Sequence, residues 1–434
     1  MPSPEPTPAA GAVTGLADFH LPPGLEPPGF AVATTAGRSW RRARWNGEAL
    51  AAVAGILARD GAAALRGIPD PELRAAWTAT VARFRDPASS ERRALDPLLA
   101  ALTGLSPAGL AAGLETILAG VDGEPAAALL ARARPLPRPG PGLVVLAGNL
   151  PGLGLQALWP ALALRRPVLL KSASREPLLI PAFLGALARW LPALASGVAA
   201  ATWRGGAEEI EAPLLAAVDR VLAYGDEPAL ADLARRAPGR LVGQGPKASV
   251  ALVGADADPA LIAPGLARDV ALFDQQGCLS LHAVYTSGDA PRLAAALAAA
   301  LREIARLWPP GPAPLPLAAA VRQLREEAAL RGLPHHELAL AAGTVIVESD
   351  PGFQPSPGLR TVRIHPVPRL AAAVTALTPW QGRLQGATLA GGEAWDQAAA
   401  VRALGVSHLT PPGELQRVDV GWANGGIDPL EALG

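Results

Sequence analysis

The chain has 434 residues, half of them hydrophobic and 18% charged, with 38 basic residues balanced by 38 acidic ones. An apolar content this high excludes disorder over the whole length, and a neutral balance leaves no basic excess to displace counterions from a nucleic-acid backbone. A single cysteine, Cys278, excludes a disulfide scaffold and makes a reducing, cytoplasmic setting the default.

Residues 1–24 carry prolines at positions 2, 4, 6, 8, 22 and 23 and no basic or apolar signal segment. A flexible Pro-rich tail is therefore expected over residues 1–30. From Gly47 to Gly123 the pattern is helical, with Leu50, Val53, Leu57 and Leu65 on one face and Trp77, Val81 and Phe84 at helical spacing. Ser106-Pro107 opens a further helix. A stiff Pro-rich connector, RARPLPRPGPG, closes this region. The uncharged stretch from Pro139 to Leu164 is long enough for a membrane helix. Glycines, Asn149 and prolines interrupt it, so a strand, a turn and a helix are expected and no membrane span.

Beyond the connector, strand and helix alternate: LVVLAG, PVLLKS, GVAAATWRGG and DRVLAYGD are each followed by a helical stretch. Short apolar strands alternating with helices predict an α/β fold with a parallel sheet covered on both faces. KASVALVG adds a strand and leads into a helix running to Phe273. The loop DQQGC follows, and then a second α/β unit.

Cys278 sits in that Gly/Gln-rich loop between a helix and a strand, where a sulfur can be exposed and amides can converge. A nucleophilic cysteine works as thiolate and needs amide dipoles or a cation beside it. A lone cysteine can equally serve as a small buried hydrophobe. Rarity adds weight to particular residues. Lys171 and Lys247 are the only lysines, and Asn46, Asn149 and Asn424 the only asparagines. His282, four residues beyond the cysteine along a strand, lies about 13 Å away and is a poor acid–base partner. His335 and His336 read as solvated, and no metal-ligand spacing occurs.

Six segments, in order, resemble the aldehyde dehydrogenase superfamily and, within it, the luminescence-type (LuxC-like) fatty acyl-CoA reductases. They are AGNLPG, LLKSASREP, VLAYGDEPAL, VGQGPKASVALVGADAD, ARDVALFDQQGCLSLHAVYT and LGVSHLTPPGEL, the last with His408 where arginine is usual. The resemblance implies four parts. These are the tail, a helical region over 31–138 packing on the nucleotide domain, an NAD(P)-binding domain over 139–255 with a return segment 401–434, and a catalytic domain over 256–400.

It also implies roles. Cys278 would be the nucleophile, and Asn149 with the Cys278 amide would hold the oxyanion. Lys171 would bind the cofactor's adenosine ribose, and Gly225 would let the backbone approach the cofactor at a helix N-terminus that favours the anion. NAD-specific relatives hold the ribose with a carboxylate at the place of Ser174. Its absence, with Arg175 beside it, favours NADPH, with NADH as the alternative. Hydrolytic relatives carry a glutamate base at the place of Gly243, so acyl transfer and reduction are favoured over free acid.

The implied activity is NADPH-dependent reduction of an acyl-CoA or other acyl thioester to the aldehyde through a thioacyl enzyme. An oxidative aldehyde dehydrogenase and a non-catalytic scaffold in a biosynthetic complex are the alternatives. A homo-oligomer and an acyl-activating synthetase partner are expected.

Overall fold

The computed structural model describes residues 13–148 and 150–434. Three sheets organise it. A small one, in the order β1-β3-β2, comprises β1 (Val13–Ala17), β2 (Gly29–Thr35) and β3 (Arg38–Arg44). The expected tail thus holds strand structure from Val13 onward, and His20 bridges to Ala200 in the second sheet. The β2–β3 hairpin turns through Ala36 and Gly37, both at positive φ (49° and 70°). That turn needs left-handed residues, and Ala-Gly is a weaker signal for it than Asn-Gly. The helical expectation for 31–138 is corrected here, since helices begin only at Gly47.

The second sheet holds β4 (Gly142–Val145), β5 (Val168–Ser172), β6 (Val198–Thr202), β7 (Arg220–Tyr224) and β8 (Leu241–Gln244), all parallel, in the order β6-β5-β4-β7-β8. The uncharged stretch from residue 139 onward divides into β4, a turn and the helix Leu155–Ala163. Among the described residues no single helix is long and apolar enough to cross a membrane. The N-terminal helices dock on this domain through aromatic contacts. The Trp77 ring lies 4.7 Å from that of Trp159 and 5.2 Å from that of Phe183, and both indoles donate to backbone carbonyls. Burying such large rings is the main apolar gain at this junction.

The third sheet comprises β9 (Ala248–Val253), β10 (Leu281–Thr286), β11 (His335–Glu337), β12 (Thr344–Val347), β13 (Thr361–Pro366), β14 (Leu384–Ala390) and β15 (His408–Thr410). Its order is β11-β12-β13-β10-β9-β14-β15, and only β11 runs antiparallel. β9 pairs with β10 and β14 at the centre of this sheet. The boundary expected at residue 255 therefore falls earlier, between Gln244 and Ala248. All six residues of β9 are buried, as a strand covered on both faces requires. The return segment divides its contacts. β15 closes an edge of the third sheet, while Val420 donates to Gly120 and Leu433 accepts from Arg166 in the N-terminal half.

Between the helix Pro259–Ala271 and β10 the chain makes an unusual turn. Phe273, Asp274 and Gln275 have φ of 56°, 51° and 62°. Left-handed backbone costs a residue with a Cβ about 1–2 kcal/mol, so three in succession need strong support. Phe273 wedges against Gly113 on the helix Pro107–Gly120, where an added Cβ would meet the ring at 2.8 Å and 3.0 Å. Asp274 accepts from Arg360 and from the Gly311 amide. The Gln275 side chain donates to the Leu281 and Thr361 carbonyls and accepts from the Thr361 amide. A methyl group at residue 113 has no room. Gly113→Ala should lower stability by about 1–3 kcal/mol through overpacking, read as a lower denaturation midpoint at unchanged m-value.

Candidate functional site

The strand order of the second sheet reverses direction between β4 and β7. From β4 the chain winds outward through β5 and β6, then returns to build β7 and β8 on the other side. In open parallel sheets, ligands bind beyond the carboxyl ends of the strands at such a switch point. A cavity of about 560 Å³ lies there. Ala147, Gly148 and Leu150 line it from the loop after β4, and Tyr224, Gly225 and Asp226 from the end of β7. Its opposite wall is the amino-terminal edge of the third sheet: Lys247 before β9, Cys278 before β10 and Gln385 on β14.

Cys278 is half-buried in that wall. Its carbonyl accepts from the Ser249 hydroxyl on β9, which in turn accepts from the Gly386 amide on β14. The cysteine loop is thereby tied to both central strands. Burial pushes the thiol up to about 11, while its own amide, the Lys247 charge and the Leu279 amide pull it down. Burial prevails, so the resting sulfur is protonated at neutral pH and polar groups already face it.

Of the other expected residues that the structure describes, Gly225 and Arg175 line the cavity, and Lys171 and Ser174 are not part of its lining. Gly225 lines the cavity at the end of β7. The helix it precedes, Glu227–Arg236, is capped by Asp226, whose carboxylate accepts from the Ala229 amide at 2.9 Å. That carboxylate and Glu227 in the first turn offset the anion preference expected of this helix N-terminus. Arg175 lines the cavity from the exposed turn after β5, and Ser174 stands beside it in that turn. Lys171 is buried at the end of β5, its Nζ 5.3 Å from the centre of the Trp203 ring. Burial lowers its pKa against the opposing charge of Glu211. Asn149 lies outside the described residues. His282 is no part of the cavity lining, and its Nδ1 accepts from the Ser356 amide. Among the described residues no group of His, Cys, Asp or Glu could hold a metal ion.

Four lining residues had not been singled out for roles at this site: Lys247, Tyr224, Asn424 and Gln385. Gln385 Nε2 donates to Asn424 Oδ1 at 2.6 Å, and the Asn424 side chain is hydrogen-bonded to the Tyr224 hydroxyl. Gln244 Nε2 donates to the Asn424 carbonyl, fixing the backbone of the return segment. The signal for three of them was rarity: Lys247 is one of two lysines, Tyr224 one of two tyrosines and Asn424 one of three asparagines.

The Lys247 amine donates to the Gly382 carbonyl and acts on Cys278 through its charge. A cation stabilises the thiolate, so removing it raises the thiol pKa further. Lys247→Met should move the pH profile of Cys278 alkylation to higher pH. With one cysteine in the chain the readout is unambiguous.

Residues 136–434 match the family described as acyl-CoA reductase (LuxC). A long-chain acyl-protein thioester reductase of Aliivibrio fischeri is 23% identical over 307 residues, covering 67% of this chain and 61% of that protein. One of Photorhabdus laumondii is 22% identical over 311 residues, covering 68% and 62%. The chain thus spans about three fifths of the length of these curated relatives. Among solved structures, aldehyde dehydrogenase 21 from Physcomitrella patens superposes with a TM-score of 0.73 at 14% identity, covering 97% of this chain and 96% of that one. A mutant aldehyde dehydrogenase C from Pseudomonas syringae, in complex with NAD+ and octanal, gives 0.67 at 15% identity, covering 91% and 88%. The chain has the aldehyde-dehydrogenase fold and belongs to the acyl-CoA reductase (LuxC) family.

Proposed function

We propose that the protein reduces a long-chain acyl thioester to the aldehyde, with NADPH as reductant and Cys278 as the acyl carrier. The observation that carries this reading is that the only sulfur nucleophile of the chain lines a cavity at the switch point of a parallel nucleotide-type sheet.

The residues present fit a nicotinamide cofactor. Gly225 brings backbone without a side chain to the cavity wall. Trp422 and Gln385, both lining residues, carry buried polar atoms without partners, Nε1 and Oε1. One can donate and the other accept, the two capacities that a carboxamide uses. Arg175, in a turn lacking a carboxylate at Ser174, suits a 2′-phosphate. Lys171 would hold the adenosine ribose. The cofactor supplies a hydride when bound.

Cys278 attacks the thioester carbonyl, its sulfur forming the new C–S bond as the bond to the departing thiol breaks. The Cys278 amide, with Asn149, would hold the oxyanion. Gly243, on β8, offers no side chain to activate water, which favours a thioacyl enzyme that persists until it is reduced. The relatives' names point to an acyl group delivered by a protein as well as by CoA. An acyl-activating synthetase would supply such a group, and a homo-oligomer in the cytoplasm is the proposed setting.

Incubation with a long-chain acyl-CoA and no nicotinamide should leave one acyl group on the Cys278 peptide by mass spectrometry. Cys278→Ser should show none, and later addition of NADPH should release aldehyde rather than acid. A wild-type chain that stays unmodified with both CoA and protein thioesters would overturn the mechanism. For cofactor choice, Arg175→Ala should raise KM for NADPH about tenfold or more, the worth of one charge-assisted hydrogen bond. KM for NADH should stay unchanged.

A further inference from the structure

The return segment brings a further polar side chain to the cavity. Gln416 lines it and is only 8% exposed. The backbone leading to it is held by the Asp269 carboxylate, which accepts from the Gly413 and Leu415 amides. The side-chain amide is held as well. Nε2 donates to the carbonyls of Asp269 at 3.0 Å and Leu272 at 3.2 Å, at the end of the helix Pro259–Ala271, where carbonyls lack partners within the helix. Turned over, the amide would set its oxygen against both carbonyl oxygens, so the hydrogen-bond network fixes which way it points. Oε1 therefore faces Gly277, where an added Cβ would stand 3.1 Å from it. Gly277 lines the same cavity and immediately precedes Cys278. Among the described residues no donor is paired with Oε1.

An acceptor fixed beside the nucleophile finds no partner in the reacting group. A thioester presents a carbonyl oxygen and a sulfur, neither carrying hydrogen, and the acyl chain offers only C–H. The thiol half does carry a donor. In CoA and in a carrier protein's pantetheine arm an amide N–H lies two carbons from the sulfur. In a protein cysteine the backbone N–H lies at the same spacing. We propose that Gln416 Oε1 accepts a hydrogen bond from that N–H, selecting thioesters that carry it and holding the departing thiol beside Cys278. The role rests on the proposed attack of Cys278 on a thioester and adds no covalent step. The Cys278 proton ends on the departing thiol, and the amide keeps its own. A nicotinamide carboxamide also carries N–H, and Gln385 Oε1 is the acceptor proposed for it.

The test is the rate of Cys278 acylation in the full chain without nicotinamide, read by mass spectrometry. One long acyl group is offered on N-acetylcysteamine, which represents the pantetheine arm, and on N-acetylcysteine amide, which represents a protein cysteine. The N-methylated form of each lacks the N–H, and an ethanethiol ester lacks the amide altogether. In the wild-type chain N-methylation should slow acylation about fivefold, the worth of one neutral hydrogen bond. The ester that shows the loss identifies the source of the donor.

Gln416→Met is close in size and has no amide. It loses the two Nε2 bonds as well, and damage to the cysteine loop on that account slows every ester alike, the ethanethiol ester included. Only loss of the acceptor removes the difference between N–H and N-methyl esters. Wild-type rates that N-methylation leaves unchanged on both esters overturn the proposal, and they do so even where the variant fails to fold. A Gln416→Met chain that keeps the full difference overturns it too, and a raised KM for NADPH in that chain would assign the oxygen to the cofactor. A wild-type chain that none of the esters modifies overturns the role of Cys278 and this inference with it, a result distinct from equal rates.

Discussion

Three consecutive left-handed residues, Phe273 to Gln275, are the constraint on which the site depends. Their backbone cost of several kcal/mol is met by a ring packed against a helix, a carboxylate gripped by Arg360, and an amide side chain bonded on both faces. These supports come from the N-terminal helices and from the third sheet. A turn this over-determined cannot relax without breaking contacts in both. It therefore fixes where the chain emerges at Cys278, three residues on, to within the play of a short loop. The same turn ends the helix Pro259–Ala271, and the buried Asp269 on that helix accepts from Gly413, Leu415 and Thr388. The P-G-E-L stretch of the return segment is thus clamped to the element that delivers the cysteine.

The electrostatics of the cavity set two tendencies against each other. Burial disfavours the thiolate, and two backbone amides and a lysine charge favour it. A sulfur with a high pKa is a strong nucleophile once ionised and a poor leaving group. A reaction that first forms and then breaks the bond to that sulfur needs a strong nucleophile and afterwards a good leaving group. Donors that engage only the charged form supply the second without weakening the protonated resting state, because they add stabilisation where charge has developed.

Much of this arrangement was legible in the sequence. The parallel strands β4 to β7 are short apolar runs followed by helices, and buried strands of this kind carry a clear signal. The cysteine loop was recognised by residue types and order. Other parts left little trace. β14 reads LQGATLA, and its Gly386 and two alanines have little strand propensity. It is a strand because β9 and β15 flank it. The boundary near residue 245 was missed because β9 follows β8 after three residues, and a change of sheet leaves no mark on local pattern. Gly225 was read as opening a helix that favours an anion, and the opposing effect of Asp226 emerges only once its carboxylate is seen accepting from Ala229. Tyr224 and Asn424 were marked by scarcity alone, and scarcity gives no partner.

That last gap follows from how the site is assembled. Thr116 and Ile117 reach the cavity from the N-terminal helices, Tyr224 and Gly225 from the second sheet, Cys278 and Gln385 from the third, and Trp422 and Asn424 from the return segment. Asn424 meets Tyr224 across 200 positions of chain, and Gln385 meets Asn424 only because β14 joins the central strands. Such a site has no local precursor. Each contact requires loop closure already accomplished elsewhere, so the polar chain Gln385–Asn424–Tyr224 at the cavity wall forms only with the complete fold. The cavity wall gains Trp422 and Asn424 only when the return segment docks, and a partly folded chain carries the same cysteine without them.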